Sequence, residues 1–223
     1  MFDTILFDCD GVIVDSEKGL SMIAADVLRS TFGIPAIASD FQEFIGMGED
    51  GYIGGVVRKH GGVYTIDMKE EIYRQYIERA PSTVESFPGT KDILSRFKSE
   101  GFRIAVASSS DFVKVSINLK VAGLEPEFFD AVITGSDVEK KKPDPEIYIK
   151  AMNACRSSAE RCVVVEDAIS GITAGVRAGM KVVAYTSSLS ETDLLNAGAF
   201  AAVAGPVGLY EVIHEYNENI FAG

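Results

Sequence analysis

Hydrophobic residues along the chain fall into short runs rich in β-branched side chains, and longer stretches with helical spacing separate these runs. The short runs predict five β-strands, at Thr4–Phe7, Arg103–Ala107, Ala131–Ile133, Cys162–Val165 and Val182–Ala184. The longer stretches predict helices at Thr90–Ser99, Asp111–Val121, Pro145–Cys155, Ala168–Ala178 and Glu191–Asn196. Strands separated by single helices are joined by right-handed crossovers, so we predict an α/β fold with a parallel sheet covered on both faces.

One region interrupts this alternation. Residues 17–83 contain no convincing strand and show only helical patterns, at Leu20–Phe32, Phe41–Ile45 and Met68–Arg79. The strand–helix rhythm restarts after Phe87-Pro88-Gly89. We therefore predict an all-helical insert between the first strand and the rest of the sheet. The helical period of residues 206–223 predicts a terminal helix.

The composition is that of a soluble globular protein, with 47% hydrophobic and 24% charged residues. The apolar runs are too short to cross a bilayer, and the first residues lack the features of a secretion signal. Three cysteines without metal-ligand spacing indicate reduced thiols, so we expect a cytoplasmic protein that does not enter a membrane. The net charge of −12 disfavours nucleic acid as a partner. We expect a monomer or a weak homo-oligomer.

Chemically active residues follow four of the predicted strands, at the points where the strands end. They are Asp8 and Asp10 after the first strand, Ser108-Ser109-Ser110-Asp111 after the second, Lys140-Lys141-Lys142 after the third, and Glu166-Asp167 after the fourth. The carboxyl ends of parallel strands meet at one edge of a sheet, and ligands bind in the crevice there. The pattern therefore predicts a single site that combines carboxylates, hydroxyls and a cation.

The predicted site has the chemistry of a metal and phosphate site. Asp8 and Asp10 are two residues apart in an extended segment, so both side chains point the same way. Up to four converging carboxylates repel one another unless a cation joins them, and oxygen-only ligation suits Mg²⁺. Ser108 precedes a helix that begins near Asp111, where a hydroxyl and free backbone N–H groups form a seat for phosphate. Lys142 supplies a further positive charge.

The order Asp8-Cys9-Asp10-Gly11-Val12, Ser108, Lys142-Pro143 and Glu166-Asp167 resembles the four signature motifs of the haloacid dehalogenase superfamily. The resemblance covers the whole chain. It implies a Rossmann-like α/β catalytic core made of residues 1–15 and 84–223, and an α-helical cap made of residues 16–83. The second aspartate distinguishes phosphate chemistry from dehalogenation within the family, because the dehalogenating members lack it.

The resemblance also implies a role for each motif residue. Asp8 would attack phosphorus and form an aspartyl-phosphate, and Asp10 would protonate the leaving oxygen and then activate water. Ser108, Ser109 and Lys142 would hold the phosphoryl oxygens. The ligands of Mg²⁺ would be Asp8, the backbone carbonyl of Asp10, Asp167 and Glu166, the last directly or through water.

A second glycine pattern lies in the helical insert. Residues 46–51, Gly-Met-Gly-Glu-Asp-Gly, fit the dinucleotide fingerprint G-x-G-x-x-G, but they do not follow a predicted strand and no βαβ unit encloses them. We therefore reject a dinucleotide site. We interpret these residues as a glycine-rich loop of the cap, in which Gly48 and Glu49 face the site and read the substrate.

The resembled family leaves three functions open. The first is a Mg²⁺-dependent phosphatase for a small phosphorylated metabolite, such as a sugar phosphate. The second is a phosphosugar mutase of the β-phosphoglucomutase type, and the third is a non-catalytic relative that binds a phosphorylated ligand. Mutases carry a histidine and a phosphate-binding arginine where this chain has Leu20 and Glu49. An acid is unfavourable where a second phosphate must bind, so we favour the phosphatase. Intact Asp8 and Asp10 weigh against the non-catalytic alternative.

Overall fold

The computed structural model describes residues 1–45 and 47–221 of the chain. The strands are β1 Thr4–Phe7, β2 Val14–Asp15, β3 Glu85–Ser86, β4 Arg103–Ala107, β5 Ala131–Ile133, β6 Cys162–Glu166, β7 Lys181–Tyr185 and β8 Ala201–Val203. The helices are α1 Glu17–Phe32, α2 Gly48–Lys59, α3 Ile66–Thr83, α4 Thr90–Ser99, α5 Phe112–Val121, α6 Glu146–Ala154, α7 Ile169–Arg177, α8 Glu191–Asn196 and α9 Pro206–Phe221. Short 3₁₀ helices lie at Ala38–Phe44, Pro126–Phe128 and Ala159–Arg161.

Six strands form a parallel sheet in the order β5-β4-β1-β6-β7-β8. The predicted α/β class and parallel sheet are therefore confirmed. Strand β1 lies between β4 and β6, so the sheet grows in opposite directions on its two sides. Such a switch point opens a crevice beyond the carboxyl end of the strand, and Asp8 and Asp10 follow β1 at that position.

Both faces of the sheet are covered, which explains the uninterrupted apolar runs of its strands. Successive residues of β1 pack into two different clusters: Ile5 and Phe7 join one cluster and Leu6 joins the other. All three side chains are at most 1% exposed. The three cysteines are free and buried.

The helical insert, residues 16–83, is connected to the sheet through a small antiparallel ribbon. In this ribbon Val14 of β2 pairs with Ser86 of β3, and Asp15 pairs with Glu85. Helices α1 and α3 pack against each other, and α3 also contacts α5 of the core. Within residues 1–45 and 47–221, no helix combines the length and apolar character that a bilayer crossing needs.

Three strands and helix α2 were not predicted from the sequence. The ribbon strands β2 and β3 each contain two residues, too few for a periodic pattern. Strand β8 has the sequence Ala-Ala-Val, which lacks the bulky β-branched signal of the other strands. The interpretation of residues 46–51 as a loop was wrong for residues 48–51, which form the first turn of α2; Gly46 lies outside the described residues.

The glycines of α2 serve close packing rather than turn formation. A Cβ atom on Gly55 would lie 2.3 Å from the Phe44 ring, and one on Gly54 would lie 3.3 Å from Tyr64. Glycine lowers intrinsic helix propensity, so the sequence pattern favoured a loop. The tertiary contacts overrule that preference, because only residues without a side chain let α2 approach its neighbours.

Candidate active site

A cavity of about 130 Å³ lies between the carboxyl edge of the sheet and the helical insert. The core contributes the ends of β1, β4 and β6 and the loop after β5, and the insert contributes α1 and α2. The predicted residues that line the cavity are Asp8, Asp10, Leu20, Gly48, Glu49, Ser108, Ser109, Lys142, Glu166 and Asp167. Residues more than 150 positions apart in the sequence are therefore brought to one place, as the strand-end pattern predicts.

One side of the cavity, which we call the acid-rich side, consists of Asp8, Glu166, Asp167 and Lys142. One carboxylate oxygen from each acid lies within 4.8 Å of the others. The Lys142 ammonium donates to Asp8 Oδ1 and to Glu166 Oε1, both at 2.6 Å, and to the carbonyl of Ala107 at 2.9 Å. All four side chains are at most 11% exposed. Lys142 therefore binds two of the three acids, Asp8 and Glu166, and has no direct bond to Asp167.

Glu166 uses both of its carboxylate oxygens within the protein. Oε1 accepts from Lys142 and from the hydroxyl of Tyr148 at 2.7 Å, while Oε2 accepts from the backbone N–H groups of Asp167 and Ala168. A Cβ atom on Gly171 would overlap Glu166 Oε1 at 1.7 Å, so this glycine leaves room for the carboxylate. In this arrangement, Glu166 orients Lys142.

Two carboxyl groups of the acid-rich side, those of Asp8 and Asp167, have raised pKa values. Burial raises the pKa of Asp8 well above its ordinary value, and Glu166 adds to this effect while Lys142 opposes it. Burial, with the charge of Glu166, raises the pKa of Asp167 to about 7. Gly11, at φ +76°, lets the backbone pass close to Asp167, because a Cβ there would lie 2.0 Å from Oδ2. Together, Asp8, Glu166 and Asp167 fit a hard divalent cation such as Mg²⁺, whose charge would reduce the repulsion between the three carboxylates.

Asp10 occupies the opposite environment, which we call the donor-rich side. Its Oδ1 accepts from Asn118 Nδ2 at 2.9 Å, from the Ser16 hydroxyl and from Lys114 Nζ at 3.0 Å. Its Oδ2 accepts from the Ser110 hydroxyl at 2.7 Å. Burial alone would raise the pKa of Asp10, but Lys114 and the hydroxyl donors outweigh it and hold this pKa below its usual range.

Sequence reasoning missed the groups that surround Asp10. Lys114 is 6% exposed, and its pKa is raised because the Asp10 and Glu49 charges outweigh desolvation. Its ammonium also contacts Ser110 Oγ at 3.1 Å. A signal was available: Lys114 and Asn118 are four residues apart and share one face of α5, and Ser110 lies four residues before Lys114, just ahead of the helix. That polar face follows directly after the serine cluster of the second motif.

The donor-rich side is linked to the helical insert by a hydrogen-bonded chain. The hydroxyl of Tyr76, on α3, donates to Asn118 Oδ1 at 2.6 Å, and Asn118 in turn donates to Asp10. Nearby, Lys69 of the insert pairs with Asp111 at the start of α5 at 2.6 Å. The position of α3 and the orientation of the Asp10 carboxylate are therefore coupled through Asn118.

The serines of the second motif lie where the sequence predicts a phosphate seat. Ser108 Oγ accepts from the backbone N–H of Ser110 at 3.2 Å and is 1% exposed. The Ser109 hydroxyl lines the cavity and has no hydrogen-bond partner among residues 1–45 and 47–221. On the opposite wall, Leu20 and Glu49 belong to the helical insert.

This fold and this site define a hydrolase class: residues 5–185 match the haloacid dehalogenase-like hydrolase family, and the chain belongs to that family. The predicted resemblance and the expectation of an enzyme are confirmed.

Several relatives carry phosphatase names. The chain is 29% identical to 6-phosphogluconate phosphatase of Escherichia coli, over 81% of this chain and 80% of that protein. It is 27% identical to a phosphorylated carbohydrates phosphatase of Thermotoga maritima, over 96% and 99% of the two chains. It is also 36% identical to the chloroplastic protein SUPPRESSOR OF QUENCHING 1 of Arabidopsis thaliana, over 87% of this chain. The match spans only 19% of the length of that relative.

Solved structures share the fold over nearly the whole chain. CbbY from Rhodobacter sphaeroides, solved in complex with phosphate, superposes with a TM-score of 0.80 at 25% identity and covers 92% of this chain and 95% of its own. A haloacid dehalogenase family hydrolase from Deinococcus radiodurans, with bound phosphate and sodium, gives a TM-score of 0.74 at 26% identity, covering 96% of both chains.

Proposed function

We propose that the chain is a Mg²⁺-dependent phosphatase that hydrolyses a small phosphorylated metabolite, such as a sugar phosphate, through an aspartyl-phosphate on Asp8. The relatives named for phosphorylated carbohydrates and the phosphate-bound neighbour structures support this substrate class. The cavity of about 130 Å³ suits a small molecule. We further propose that residues 16–83 act as the cap of the site and residues 1–15 and 84–223 as its catalytic core.

The contrast between Asp8 and Asp10 carries this proposal. Two carboxylates, two residues apart, line one cavity but lie in opposite electrostatic surroundings, which shift the pKa of Asp8 up and that of Asp10 down. Two carboxyl groups in unlike surroundings can take different roles in one reaction. A cation bound beside Asp8 would favour the carboxylate form that Asp8 needs as a nucleophile. The hydroxyls of the two serines that line the cavity offer donors to the oxygens of a phosphoryl group, and Lys142 offers its positive charge.

In the first step, an Asp8 carboxylate oxygen attacks phosphorus, and the bond between phosphorus and the leaving oxygen breaks. Asp10, in its protonated form, gives its proton to that oxygen, so the product leaves as an alcohol. Ser108, Ser109 and Lys142 hold the phosphoryl oxygens during this transfer. The orientation of Asp10 in this step depends on its contacts with Ser16, Ser110 and Asn118.

In the second step, water attacks the phosphorus of the aspartyl-phosphate, and Asp10 accepts a proton from it. Inorganic phosphate leaves and the carboxylate of Asp8 is restored. The lowered pKa of Asp10 favours the anionic form that this step requires. When bound by Asp8, the Asp10 backbone carbonyl, Asp167 and Glu166, Mg²⁺ would offset the repulsion between Asp8 and the phosphate. Glu166 would take part through water as long as its oxygens keep their present partners.

The mutase alternative is disfavoured by the opposite wall of the cavity. A mutase has to bind two phosphate groups, one at each end of its substrate. The insert places the carboxylate of Glu49 and the apolar side chain of Leu20 in that wall, and neither attracts a second phosphate.

The test is an assay of phosphate release from p-nitrophenyl phosphate and a panel of sugar phosphates, with Mg²⁺ and with EDTA. We expect Mg²⁺-dependent release that Asp8→Asn abolishes and that the exposed control Glu43→Gln leaves unchanged. Absence of Mg²⁺-dependent turnover on every substrate would contradict the proposal. Conversion of β-glucose 1-phosphate into glucose 6-phosphate, without net phosphate release, would establish the mutase instead.

A further inference from the structure

The loop after β7 brings two hydroxyl groups to the acid-rich side. Glu166 of β6 pairs with Ala184 of β7, so the residues that follow β7 lie beside the residue that follows β6, which is Asp167. Ser187 and Ser188 belong to that loop. The Ser188 hydroxyl donates to Asp167 Oδ2 at 3.0 Å, and the Ser187 hydroxyl lies 3.3 Å from the same oxygen. A fifth strand end thus takes part in the site, beside the four from which the site was predicted.

The Ser187 hydroxyl has two acceptors within reach and only one proton to donate. Its shorter contact is with the backbone carbonyl of Gly11, at 2.9 Å. Gly11 follows Asp10 in the chain and comes so close to Asp167 that a Cβ on Gly11 would lie 2.0 Å from Oδ2. Ser187 therefore ties the loop after β1 to the loop after β7, and Ser188 is the better placed donor to Asp167.

Asp167 is held by these hydroxyls and not by the lysine of the acid-rich side. Lys142 donates to Asp8 and to Glu166 and makes no direct bond to the third acid. Among the residues that the structure describes, the side-chain donors to the Asp167 carboxylate are the two serines, and both contact Oδ2. The two oxygens of Asp167 are therefore unequal, because hydroxyl groups hold one and the other is left to bind a cation.

We propose that Ser188, assisted by Ser187, is a positioning residue that orients Asp167 for Mg²⁺ and favours Mg²⁺ over Ca²⁺. A carboxylate with one oxygen held by a hydroxyl offers a single oxygen to a metal. Mg²⁺ requires a near-ideal octahedral shell, whereas the larger Ca²⁺ has a more flexible shell and also accepts both oxygens of one carboxylate. Groups that fix a metal ligand in this way raise metal affinity. This inference rests on the proposed function, which assigns Mg²⁺ to the acid-rich side.

The experiment measures metal binding directly, in the absence of substrate. Titration calorimetry gives the Kd values of Mg²⁺ and Ca²⁺ for the metal-free wild type, Ser188→Ala, Ser187→Ala and Ser188→Thr, the last of which keeps a hydroxyl. The control is Ser99→Ala, an exposed serine at the end of α4. Melting temperatures in EDTA verify that each variant is folded. A second measurement is the Mg²⁺ concentration that gives half-maximal turnover of p-nitrophenyl phosphate.

We expect Ser188→Ala to raise the Kd of Mg²⁺ by between about 10- and 100-fold. The Kd of Ca²⁺ should change less, because Ca²⁺ can use the second oxygen that the substitution releases, so the ratio of the Ca²⁺ Kd to the Mg²⁺ Kd should fall. Ser187→Ala should have a smaller effect, since its hydroxyl is nearer to the Gly11 carbonyl. Ser188→Thr and Ser99→Ala should bind both metals as the wild type does.

The kinetic loss should appear in the Mg²⁺ requirement and not in kcat at saturating Mg²⁺. An unchanged Mg²⁺ affinity in Ser188→Ala would overturn the inference, as would a Ser188→Thr variant that binds Mg²⁺ no better than Ser188→Ala. A general structural role of the loop would lower the melting temperature in EDTA and kcat at saturating Mg²⁺ and leave the ratio of the two Kd values constant, and this result would also overturn it.

Failure of the phosphatase proposal is distinguishable from failure of this inference. A wild type that binds Mg²⁺ in the calorimeter but hydrolyses no phosphate ester would refute the proposed function. The calorimetric comparison of Ser188→Ala with Ser188→Thr would still decide the role of the hydroxyl, because it requires no turnover.

Discussion

The two sides of the cavity differ in the balance of their charges. On the acid-rich side, three buried carboxylates cluster and only Asp8 and Glu166 bind Lys142. Burial and mutual repulsion raise the pKa values of Asp8 and Asp167. On the donor-rich side, Asp10 alone receives Lys114, two hydroxyls and an amide, and its pKa is lowered. The acid-rich side has fewer positive charges than carboxylates, whereas on the donor-rich side both oxygens of Asp10 have hydrogen-bond donors.

Residues that are neighbours in the sequence can acquire separate roles from the different groups that surround them. Asp8 and Asp10 have the same chemistry, and only the elements packed around them differ. A side that lacks positive charge fits a divalent cation and a nucleophile that the cation assists. A side rich in donors fits a group that must keep one orientation while it exchanges a proton.

The largest expected effect is that of Asp8→Asn on catalysis. Loss of the nucleophile should lower kcat on p-nitrophenyl phosphate by at least about 10⁴-fold. Stability should be kept or increased, because the change removes one of the repelling acids and Lys142 retains Glu166. Phosphate release and a thermal melt measure the two quantities. Substantial residual turnover would show that Asp8 is not the nucleophile.

Asp10→Asn is the matched substitution on the donor-rich side. We expect kcat to fall by about 10²- to 10⁴-fold, as for other acid–base groups. In contrast to Asp8→Asn, stability should fall by about 3 kcal/mol, because Lys114 is left as a buried charge without its main partner. Urea titration of both variants measures the difference. Equal stabilities of the two variants would contradict the distinction between the two sides.

Asn118→Ala tests the link from the helical insert to Asp10. It removes a donor to Asp10 and leaves the Tyr76 hydroxyl without its acceptor, so we expect kcat/KM on a sugar phosphate to fall about tenfold. The effect on p-nitrophenyl phosphate should be smaller, because its good leaving group needs little protonation.

The matched control for this substitution is Asn153→Ala, an exposed asparagine on α6. Tyr76→Phe keeps the amide of Asn118 and removes only the hydrogen bond from the insert. Its loss of kcat/KM should therefore be smaller than that of Asn118→Ala and larger than that of Asn153→Ala. Equal losses on both substrates would indicate a general structural defect rather than the positioning of Asp10.

The smallest expected effect is the pH dependence of stability that Asp167 creates. The pKa of Asp167 is about 7 in the folded chain against an ordinary 3.8, so the folded state holds the extra proton between these values. The contribution of this proton to the free energy of unfolding is fully present below about pH 4 and is lost as the pH rises through 7. Melting temperatures without Mg²⁺ should therefore fall over this range by a few degrees.

Addition of Mg²⁺ should reduce this decline, because a bound cation favours the ionised carboxyl. Asp167→Asn should remove both the decline and most of the response to Mg²⁺. A pH profile that is identical in wild type and Asp167→Asn would contradict the assignment of the titrating group. The same comparison at pH 5, where Mg²⁺ should stabilise less than at pH 7.5, provides an internal control.

Much of the core was predictable because its signals are local. The predicted bounds are those observed for strands β1, β4 and β5 and for helices α4 and α8. A strand is specified by a short apolar run flanked by turn residues, and a helix by an amphipathic stretch between capping residues, so both signals lie within a few residues. Strand β8 and helix α2 carry weak local signals, and both are established by packing. The glycines of α2 illustrate this, because contact with Phe44 requires the same residues that lower helix propensity.

The edge of the sheet at which the site forms follows from the order of residues along the chain. In a parallel sheet every strand points the same way, so residues that follow the strands meet at one edge, and Asp8, Ser108, Lys142 and Asp167 line one cavity there. The partners of each acid depend instead on how the helices pack. Lys114 and Asn118 reach Asp10 because α5 packs against β2, which follows Asp10 in the chain, and Tyr76 reaches Asn118 because α3 packs on α5. These contacts join segments separated by 42 to 108 residues, and no local pattern encodes how helices pack.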